Sequence, residues 1–200
     1  MSTSSASRRD ANAGATRALI VAKARKVFAE KGFADAWLAE IVAEAKVTTG
    51  AVYHHFGDKK GLFLAVAETV EADILKEVGR AAATKSDPWD QLLAAVDATL
   101  EICAEPGVQR IIFIDAPTVI GPAAWREIEL KYAFGGMRAA LHGLIGGGVI
   151  RAGSADVLAS ILLGALIEAA RAVARAPDKD VAMADARATM AVLFASLRIA

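Results

Sequence analysis

Apolar residues recur every three or four positions along most of the chain, which is the spacing of one face of an α-helix. The first pattern starts at Thr16 and ends at Lys31-Gly32, a pair that suits a helix end because glycine adopts left-handed conformations easily. Its apolar stripe consists of Ile20, Ala24, Val27 and Phe28. Residues 1–15 are polar and unpatterned, so we expect a flexible N-terminal arm there, whose Arg8 and Arg9 are suited to follow a phosphate backbone.

Three further helical patterns follow the first one closely. A short helix is predicted from Trp37 to Ala45, and a tight connection at Lys46-Val47 leads to another from Thr48 to Phe56. Asp58 is placed as the N-cap of a fourth helix, which opens at Lys59 and runs to about Ala82. Three helices therefore precede residue 57, and the fourth leads into the rest of the chain.

The remaining chain reads as a succession of helices separated by proline and glycine. They are expected at about residues 88–105, 108–115, 122–145, 154–175 and 178–199. No segment alternates as a half-buried strand does. We therefore predict an all-α protein of about nine helices.

Composition narrows the class of protein. Of the residues, 55% are hydrophobic, which supports a substantial buried core. The single cysteine, Cys103, cannot form an intramolecular disulfide, and the N-terminus lacks the apolar run of a secretory signal, so a cytoplasmic location is expected. The most apolar segment, residues 157–167, is shorter than the ~20 residues that cross a bilayer, so we expect no membrane span.

The net charge of zero conceals an uneven distribution. Residues 1–62 hold 10 Lys or Arg against 6 Asp or Glu, a net charge of +4, and residues 63–200 carry −4. A basic front and an acidic body are expected if only the front meets nucleic acid. Chance fluctuation of a few charges is the alternative.

The third predicted helix contains a glycine, Gly50, although glycine costs roughly 1 kcal/mol relative to alanine inside a helix. On a helical wheel one side gathers Thr48, Val52, His55 and Phe56. Gly50 and His54 lie opposite, flanked by Ala51 and Tyr53, with Thr49 at the margin. A bare position between hydrogen-bonding side chains suits close approach to a phosphate backbone and a major groove.

From Thr16 to about Phe63 the chain resembles the DNA-binding head of TetR-family transcriptional regulators. The residues that carry the resemblance are Phe28-Ala-Glu-Lys-Gly-Phe33, Glu40-Ile41, Ala45, Val47, Thr48-Thr49-Gly50, Val52-Tyr-His-His-Phe56 and Lys59. The resemblance implies a helix-turn-helix head at residues 16–62, joined by the fourth helix to a helical ligand-binding and dimerisation domain at residues 63–200. Residues 113–121 also look like a segment found in a subgroup of the family.

The resemblance places one set of residues against double-stranded DNA. The candidates are Thr48, Thr49, Gly50, Tyr53, His54, His55 and Lys59. We expect His54 to meet a base edge, since it points away from the packed side, and Tyr53 and Thr49 to meet phosphate oxygens. His55 leans inward, so a structural role is an equal alternative, whereas Tyr53 as a core-edge aromatic and Lys59 as a solvated lysine remain open. No metal site is expected, because adjacent helical residues diverge by about 100°.

Two residues depart from the family pattern. Lys46 stands where the turn usually has glycine, and Val42 stands where the second helix usually has a small residue. A lysine in a left-handed turn costs roughly 1 kcal/mol, and a valine pushes the two helices slightly apart. These two departures bear on the angle at which the head docks on DNA.

The last two predicted helices are apolar on more than one side, which predicts that a second subunit covers them. The expected dimer residues are Ala165, Ala169, Ala172, Ala184, Ala188, Ala191 and Phe194. A pair buried within one monomer is the alternative. A homodimer places two recognition helices roughly 34–36 Å apart and reads a palindromic operator.

Polar and aromatic residues of the central helices are candidates for a largely apolar ligand pocket. They are Cys103, Phe113, Trp125, Tyr132, Met137 and Glu168. No nucleophile is paired with a base, and neither a nucleotide loop nor a cofactor motif is present, so we expect no enzyme and no cofactor. The leading hypothesis is a repressor released from its operator by a small molecule; a ligand-free architectural DNA-binding protein and an enzyme with a vestigial head are the rivals.

Overall fold

The computed structural model describes residues 3–151 and 153–199, with side chains from residue 12 onward. Nine continuous helical segments make up this part of the chain, which confirms the predicted all-α fold. An isolated antiparallel bridge between Ile150 and Arg198 joins the loop after residue 146 to the C-terminal segment. The amide of Arg151 donates to the carbonyl of Leu197 (3.0 Å) and the amide of Ile199 to that of Val149 (3.0 Å).

The helices are labelled in chain order. They are α1 (Thr3–Asp35), α2 (Leu38–Ala45), α3 (Thr49–Phe56), α4 (Lys59–Ala82), α5 (Pro88–Ala104), α6 (residues 106–119), α7 (residues 122–146), α8 (Ala155–Arg175) and α9 (Lys179–Ala195). Two of them contain wider turns of π-helix, at Gln109–Asp115 in α6 and at Leu130–Phe134 in α7. Gly135 and Gly136 follow the second of these turns directly.

Helix α1 begins well before the predicted start at Thr16. It is helical from Thr3, so the described part of the expected flexible arm is a continuation of α1. The alanine-rich sequence explains this, because extending an existing helix adds one hydrogen bond per residue without a new nucleus. The side chains of Arg8 and Arg9 lie outside the described residues. At its other end α1 is interrupted as predicted by Gly32, whose φ of 79° is open to glycine.

The connection between α2 and α3 uses Lys46 in the left-handed conformation, with φ 54° and ψ 41°. The amide of Lys46 donates to the carbonyl of Ala43 (3.2 Å) and the amide of Val47 to that of Val42 (3.1 Å). These two bonds form a Schellman motif, which satisfies carbonyls that a helix end leaves unpaired. The lysine therefore adopts the strained backbone that the family pattern assigns to glycine.

Both helices after this turn start at side-chain caps. Thr48 Oγ1 accepts a hydrogen bond from the amide of Ala51 (3.3 Å) at the start of α3. Asp58 Oδ1 accepts one from the amide of Gly61 (2.7 Å) at the start of α4, as predicted for an N-cap. The loop between α3 and α4 is therefore only two residues long and is set by local hydrogen bonds.

Three phenylalanines form the centre of the first compact unit. The rings of Phe28 and Phe63 meet edge to face at 5.1 Å, and Phe33 lies 5.2 Å from Phe63. Fully buried aliphatic residues surround them, namely Ile20, Ile41, Val52 and Leu62. This core holds α1, α2, α3 and the start of α4 by apolar burial.

The first compact unit extends to Thr69 and also includes Arg110–Gly121, so it does not follow the boundary expected near residue 62. Asp115 shows why the α6 segment belongs to it. Its Oδ2 accepts a hydrogen bond from the amide of Phe33 (2.7 Å), directly after Gly32. The second unit comprises Val70–Gln109 and the chain from Pro122 onward.

Helix α8 lies at the centre of the second unit, where α5, α7 and α9 pack against it. Its buried side includes Ala159, Leu162 and Leu166. By length and composition alone this 21-residue helix is apolar enough to cross a membrane, a criterion that core helices of soluble proteins also meet. Residues 157–167, which are too short by themselves to cross a bilayer, are thus part of a longer apolar helix.

The α3–α4 junction generates a first prediction, on Gly61. A Cβ at this position meets the carbonyl oxygen of Phe56 at 2.0 Å, so the Gly61→Ala variant has to move backbone. We expect it to lose about 2 kcal/mol of unfolding free energy, measured by urea denaturation.

Gly79→Ala is the matched control on the same helix. A Cβ at Gly79 meets nothing within 4 Å, so this variant should gain up to about 1 kcal/mol from helix propensity. Equal effects of the two substitutions contradict the tight junction.

Candidate functional site

The outward face of α3 is arranged as the helical wheel predicts. Thr49, Gly50 and His54 are exposed, and Tyr53 retains 52% of its accessible surface. Val52 on the other side is completely buried. The burial of one side fixes which side chains face solvent.

Packing within the described residues gives no reason for a glycine at position 50. A Cβ at this position meets only Thr48 Oγ1, at the ordinary contact distance of 3.8 Å. Gly61 differs, since its own neighbours exclude a side chain. A side chain at position 50 would thus meet no obstacle among the described residues.

His55 and Phe56 lie at the edge of this face and are half-buried. The His55 ring stands 5.2 Å from the His54 ring and 6.0 Å from that of Phe56. The guanidinium of Arg17 lies 5.2 Å above the Phe56 ring. His55 thus leans inward as expected, and Thr48 acts as the cap of α3.

Lys59 is engaged by the end of α1. Its Nζ donates to the carbonyl oxygen of Ala34 (3.3 Å) and lies 4.6 Å from the centre of the Phe33 ring. Burial lowers the pKa of this ammonium, while Asp35 acts in the opposite direction. The lysine therefore fastens α4 to α1, a role that the sequence did not reveal.

The second unit contains a cavity of about 420 Å³. Its walls come from α4 between Glu71 and Ala82, α5 between Pro88 and Thr99, α7 between Ala133 and Leu144, and Leu163 and Leu166 of α8. The lining is mainly small and aliphatic, including Val78, Ala95, Val96, Gly136, Ala140 and Gly143. Cavities of this size and character are typical of small-molecule sites.

Met137 is the one pocket candidate from the sequence that lines this cavity. The others, Cys103, Phe113, Trp125, Tyr132 and Glu168, do not line it. Trp125 is buried elsewhere, Phe113 belongs to the first unit, and Glu168 is exposed and paired with Arg171 at 2.6 Å. Large side chains fill space, so the cavity forms instead where the helices carry small ones.

Cys103 is a buried free cysteine whose surroundings disfavour the thiolate. Burial is the main cause that raises the pKa of its thiol to about 12, with Glu71 and Glu105 adding to it. The thiol therefore stays protonated, and protonated thiols are poor nucleophiles.

The acidic group of the cavity is Glu71, which was not among the residues predicted from the sequence. Its side chain is 5% exposed, and among the described residues it makes no ion pair or side-chain hydrogen bond. Burial raises the pKa of its carboxyl from 4.5 to about 7, with repulsion from Glu129 as the second cause. Glu71 lies four residues after Ala67 and three before Ile74, so it falls on the apolar stripe of α4. A carboxylate within that stripe is the sequence feature that identifies it.

The alanines among the proposed dimer residues are accessible, whereas Phe194 is not. Ala172, Ala184, Ala188 and Ala191 are exposed, and Ala165 and Ala169 are half-exposed. Phe194 is completely buried within the chain and is therefore a core residue, a correction to the sequence-based assignment. Large apolar side chains lie beside the alanines on the open face, namely Val157, Ile161, Val181 and Val192, each at least 58% exposed.

Comparison with known proteins assigns both parts of the chain. Residues 20–66 match the family described as "Bacterial regulatory proteins, tetR family", and residues 89–197 match "Tetracyclin repressor-like, C-terminal domain". A TetR-family transcriptional regulator from Pectobacterium atrosepticum has a similar crystal structure, with a TM-score of 0.79 and 36% identity over 95% of this chain and 97% of that one.

Two curated relatives are similar over most of their length. The transcriptional repressor AcnR of Corynebacterium glutamicum is 30% identical over 62% of this chain and 69% of its own. The TetC protein of transposon Tn10 from Escherichia coli is 30% identical over 72% of this chain and 73% of its own.

The buried carboxyl generates a prediction on pH. Native Glu71 holds its proton more tightly than the unfolded chain does, so its contribution to stability is full below pH 4.5 and is lost as pH rises to about 7. Glu71→Gln lacks this loss, so its unfolding free energy relative to wild type should rise by about 3 kcal/mol between pH 4 and pH 8.

Urea denaturation at both pH values measures this difference. Glu77→Gln, which removes an exposed carboxylate from the same helix, should follow the wild-type pH dependence. If wild type and Glu71→Gln run parallel, the carboxyl is not held in an apolar setting.

Proposed function

Because this chain belongs to the TetR family of bacterial transcriptional regulators, we propose that it is a homodimeric repressor, released from a palindromic operator by a small-molecule ligand. DNA-binding regulation is the activity of the family, and the matches cover both of its domains. The dimer, the operator symmetry and the release by ligand are the parts proposed for this chain. The observation that carries the proposal is the exposed, unobstructed backbone at Gly50.

The proposal assigns distinct contacts to the residues of α3. Gly50 lets the helix backbone approach the DNA closely, and His54 reaches a base edge in the major groove. Thr49 and Tyr53 donate hydrogen bonds to phosphate oxygens and set the register. Lys59 supports the site from within, since it holds the start of α4 against the end of α1.

The exposed apolar face of α8 and α9 supports the homodimer. Four large apolar side chains are exposed on this face, namely Val157, Ile161, Val181 and Val192. The alanines between them allow a second copy to pack closely and bury them. Two recognition helices held in this way read two half-sites of one duplex.

The cavity supports a ligand-responsive regulator rather than a ligand-free architectural DNA-binding protein, whose body we expect to be packed solid. A ligand that prefers one spacing of the two heads shifts the population toward it, and its differential affinity for the two spacings limits the effect on DNA binding. The protein acts where its operator is, in the bacterial cytoplasm.

The DNA contact predicts a separation of stability from binding in Gly50→Ala. The added methyl group has room in the free protein, so unfolding free energy should stay equal or rise by up to about 1 kcal/mol. On DNA the same methyl group keeps the backbones apart, and affinity should fall by about tenfold or more.

Fluorescence anisotropy measures this on a palindromic duplex selected from a random library, over a series of salt concentrations. Gly146→Ala on α7 is the control, because its added methyl group meets nothing within 4 Å and Gly146 does not line the cavity, and it should bind like wild type. Unchanged affinity in Gly50→Ala, or wild-type binding without sequence preference, contradicts the proposed role of α3.

The dimer face predicts the effect of Ala188→Glu. A charge placed in a buried apolar interface lacks a partner, so the variant should sediment as a monomer and bind the palindrome more weakly. Ala123→Glu adds the same charge to the first turn of α7, where it suits the helix dipole, and should remain dimeric. A dimeric Ala188→Glu places the interface elsewhere.

A further inference from the structure

The cavity of the second unit carries its charge at a single residue. Among the described residues that line it, Glu71 is the only acidic or basic one, and none is Lys, Arg or His. The side chain is 95% removed from solvent, yet it has no partner among the described residues. Its carboxyl oxygens keep some accessible surface, since no fully buried side-chain oxygen among the described residues lacks a partner, and Glu71 lines the cavity. A cation placed against the carboxylate in this apolar space would stabilise its charged form.

The two other polar side chains of the lining already have partners. Thr99 Oγ1 donates to the carbonyl of Ala95 (2.7 Å), one turn earlier in α5. Gln91 Nε2 donates to the carbonyl of Lys85 (2.9 Å) in the preceding loop. Of these three polar side chains, Glu71 is therefore the charged one, and the one without a partner among the described residues.

The charges near Glu71 favour a cation over an anion. Glu129 adds to the negative potential there, and its own counter-ion, Arg126, lies 3.4 Å from it near the protein surface. A carboxylate or phosphate in the cavity meets repulsion from Glu71 without any cation to compensate it. An ammonium meets an attractive partner within an apolar wall.

We propose that the cavity binds lipophilic amines, with the protonated amine in an ion pair with the Glu71 carboxylate and the apolar body against the small residues of α5 and α7. Amine binding needs no DNA and can be measured on the protein alone. Only its effect on regulation rests on the proposed function. The described lining residues include no aromatic ring, so among them Glu71 is the group that can hold the positive charge.

The ion pair couples binding to pH. The titratable groups facing Glu71 are Glu129 on α7 and Cys103 on α5, and α8 contributes only Leu163 and Leu166 to the wall. In the ligand-free protein the pKa of Glu71 is about 7. At lower pH the carboxyl is protonated, so it must release its proton to solvent before it can pair with an ammonium group. Amine affinity should therefore fall by about tenfold per pH unit below 7 and level off above it.

The test uses matched probes on the full-length protein by isothermal titration calorimetry. The probes share one apolar core and differ in one group: 1-adamantylmethylamine, 1-adamantylmethanol and 1-adamantanecarboxylate, with cyclohexyl and benzyl sets for other core sizes. Glu71→Gln keeps the shape and removes the charge, and Glu77→Gln removes an exposed charge from the same helix.

At pH 8 the affinity of the amines should exceed that of the alcohols by about tenfold or more, and the carboxylates should bind most weakly. Glu71→Gln should lose this preference and its pH dependence while alcohol affinity stays, and Glu77→Gln should match wild type. The proposal is overturned if amines bind no better than alcohols, if no amine of any core binds, or if Glu71→Gln keeps the preference.

A parallel titration on the operator duplex separates this proposal from the proposed function. Amine binding without release of DNA supports the ligand class and rejects release by this ligand class. Release of DNA by an alcohol or a carboxylate, but not by amines, keeps the repressor and rejects the ligand class.

Discussion

The fold of the DNA-binding head depends on the closeness of two helix ends. The backbone of α4 passes the carbonyl oxygen of Phe56 so tightly that residue 61 has no room for a side chain. Asp58 caps the new helix in the same two-residue loop, and Lys59 fastens it to the end of α1. With its last turn held in this way and Val52 buried, α3 has only one orientation in which to present Gly50 and His54.

The local features of this head were predictable because neighbouring residues determine them. Caps at Thr48 and Asp58, the break at Gly32 and the exposed side of α3 all follow from helical spacing and hydrogen-bonding chemistry. The start of α1 was not, since an alanine-rich segment without an apolar stripe can extend a helix that packing has already nucleated. The role of Lys59 depends on its distance from Phe33, which no local pattern contains.

The cavity is a tertiary feature and was mostly out of reach. It exists where small residues of four helices face each other, whereas the sequence analysis sought large aromatic and polar side chains. Trp125, one of those candidates, is instead buried in the core. Glu71 was within reach, because a carboxylate on the apolar stripe of α4 breaks a pattern that its neighbours keep.

The small residues around the cavity also bear on how its selectivity can change over evolution. Alanine and valine codons differ by a single nucleotide, as do those of glycine and alanine, so positions such as Ala95, Ala140 and Gly136 can each reshape the wall in one mutational step. None of them belongs to the first compact unit, so such steps leave the proposed DNA-contacting face of α3 untouched. Under the proposed function, lineages that inherit this scaffold can thus exchange one chemical signal for another while the genes under control stay the same.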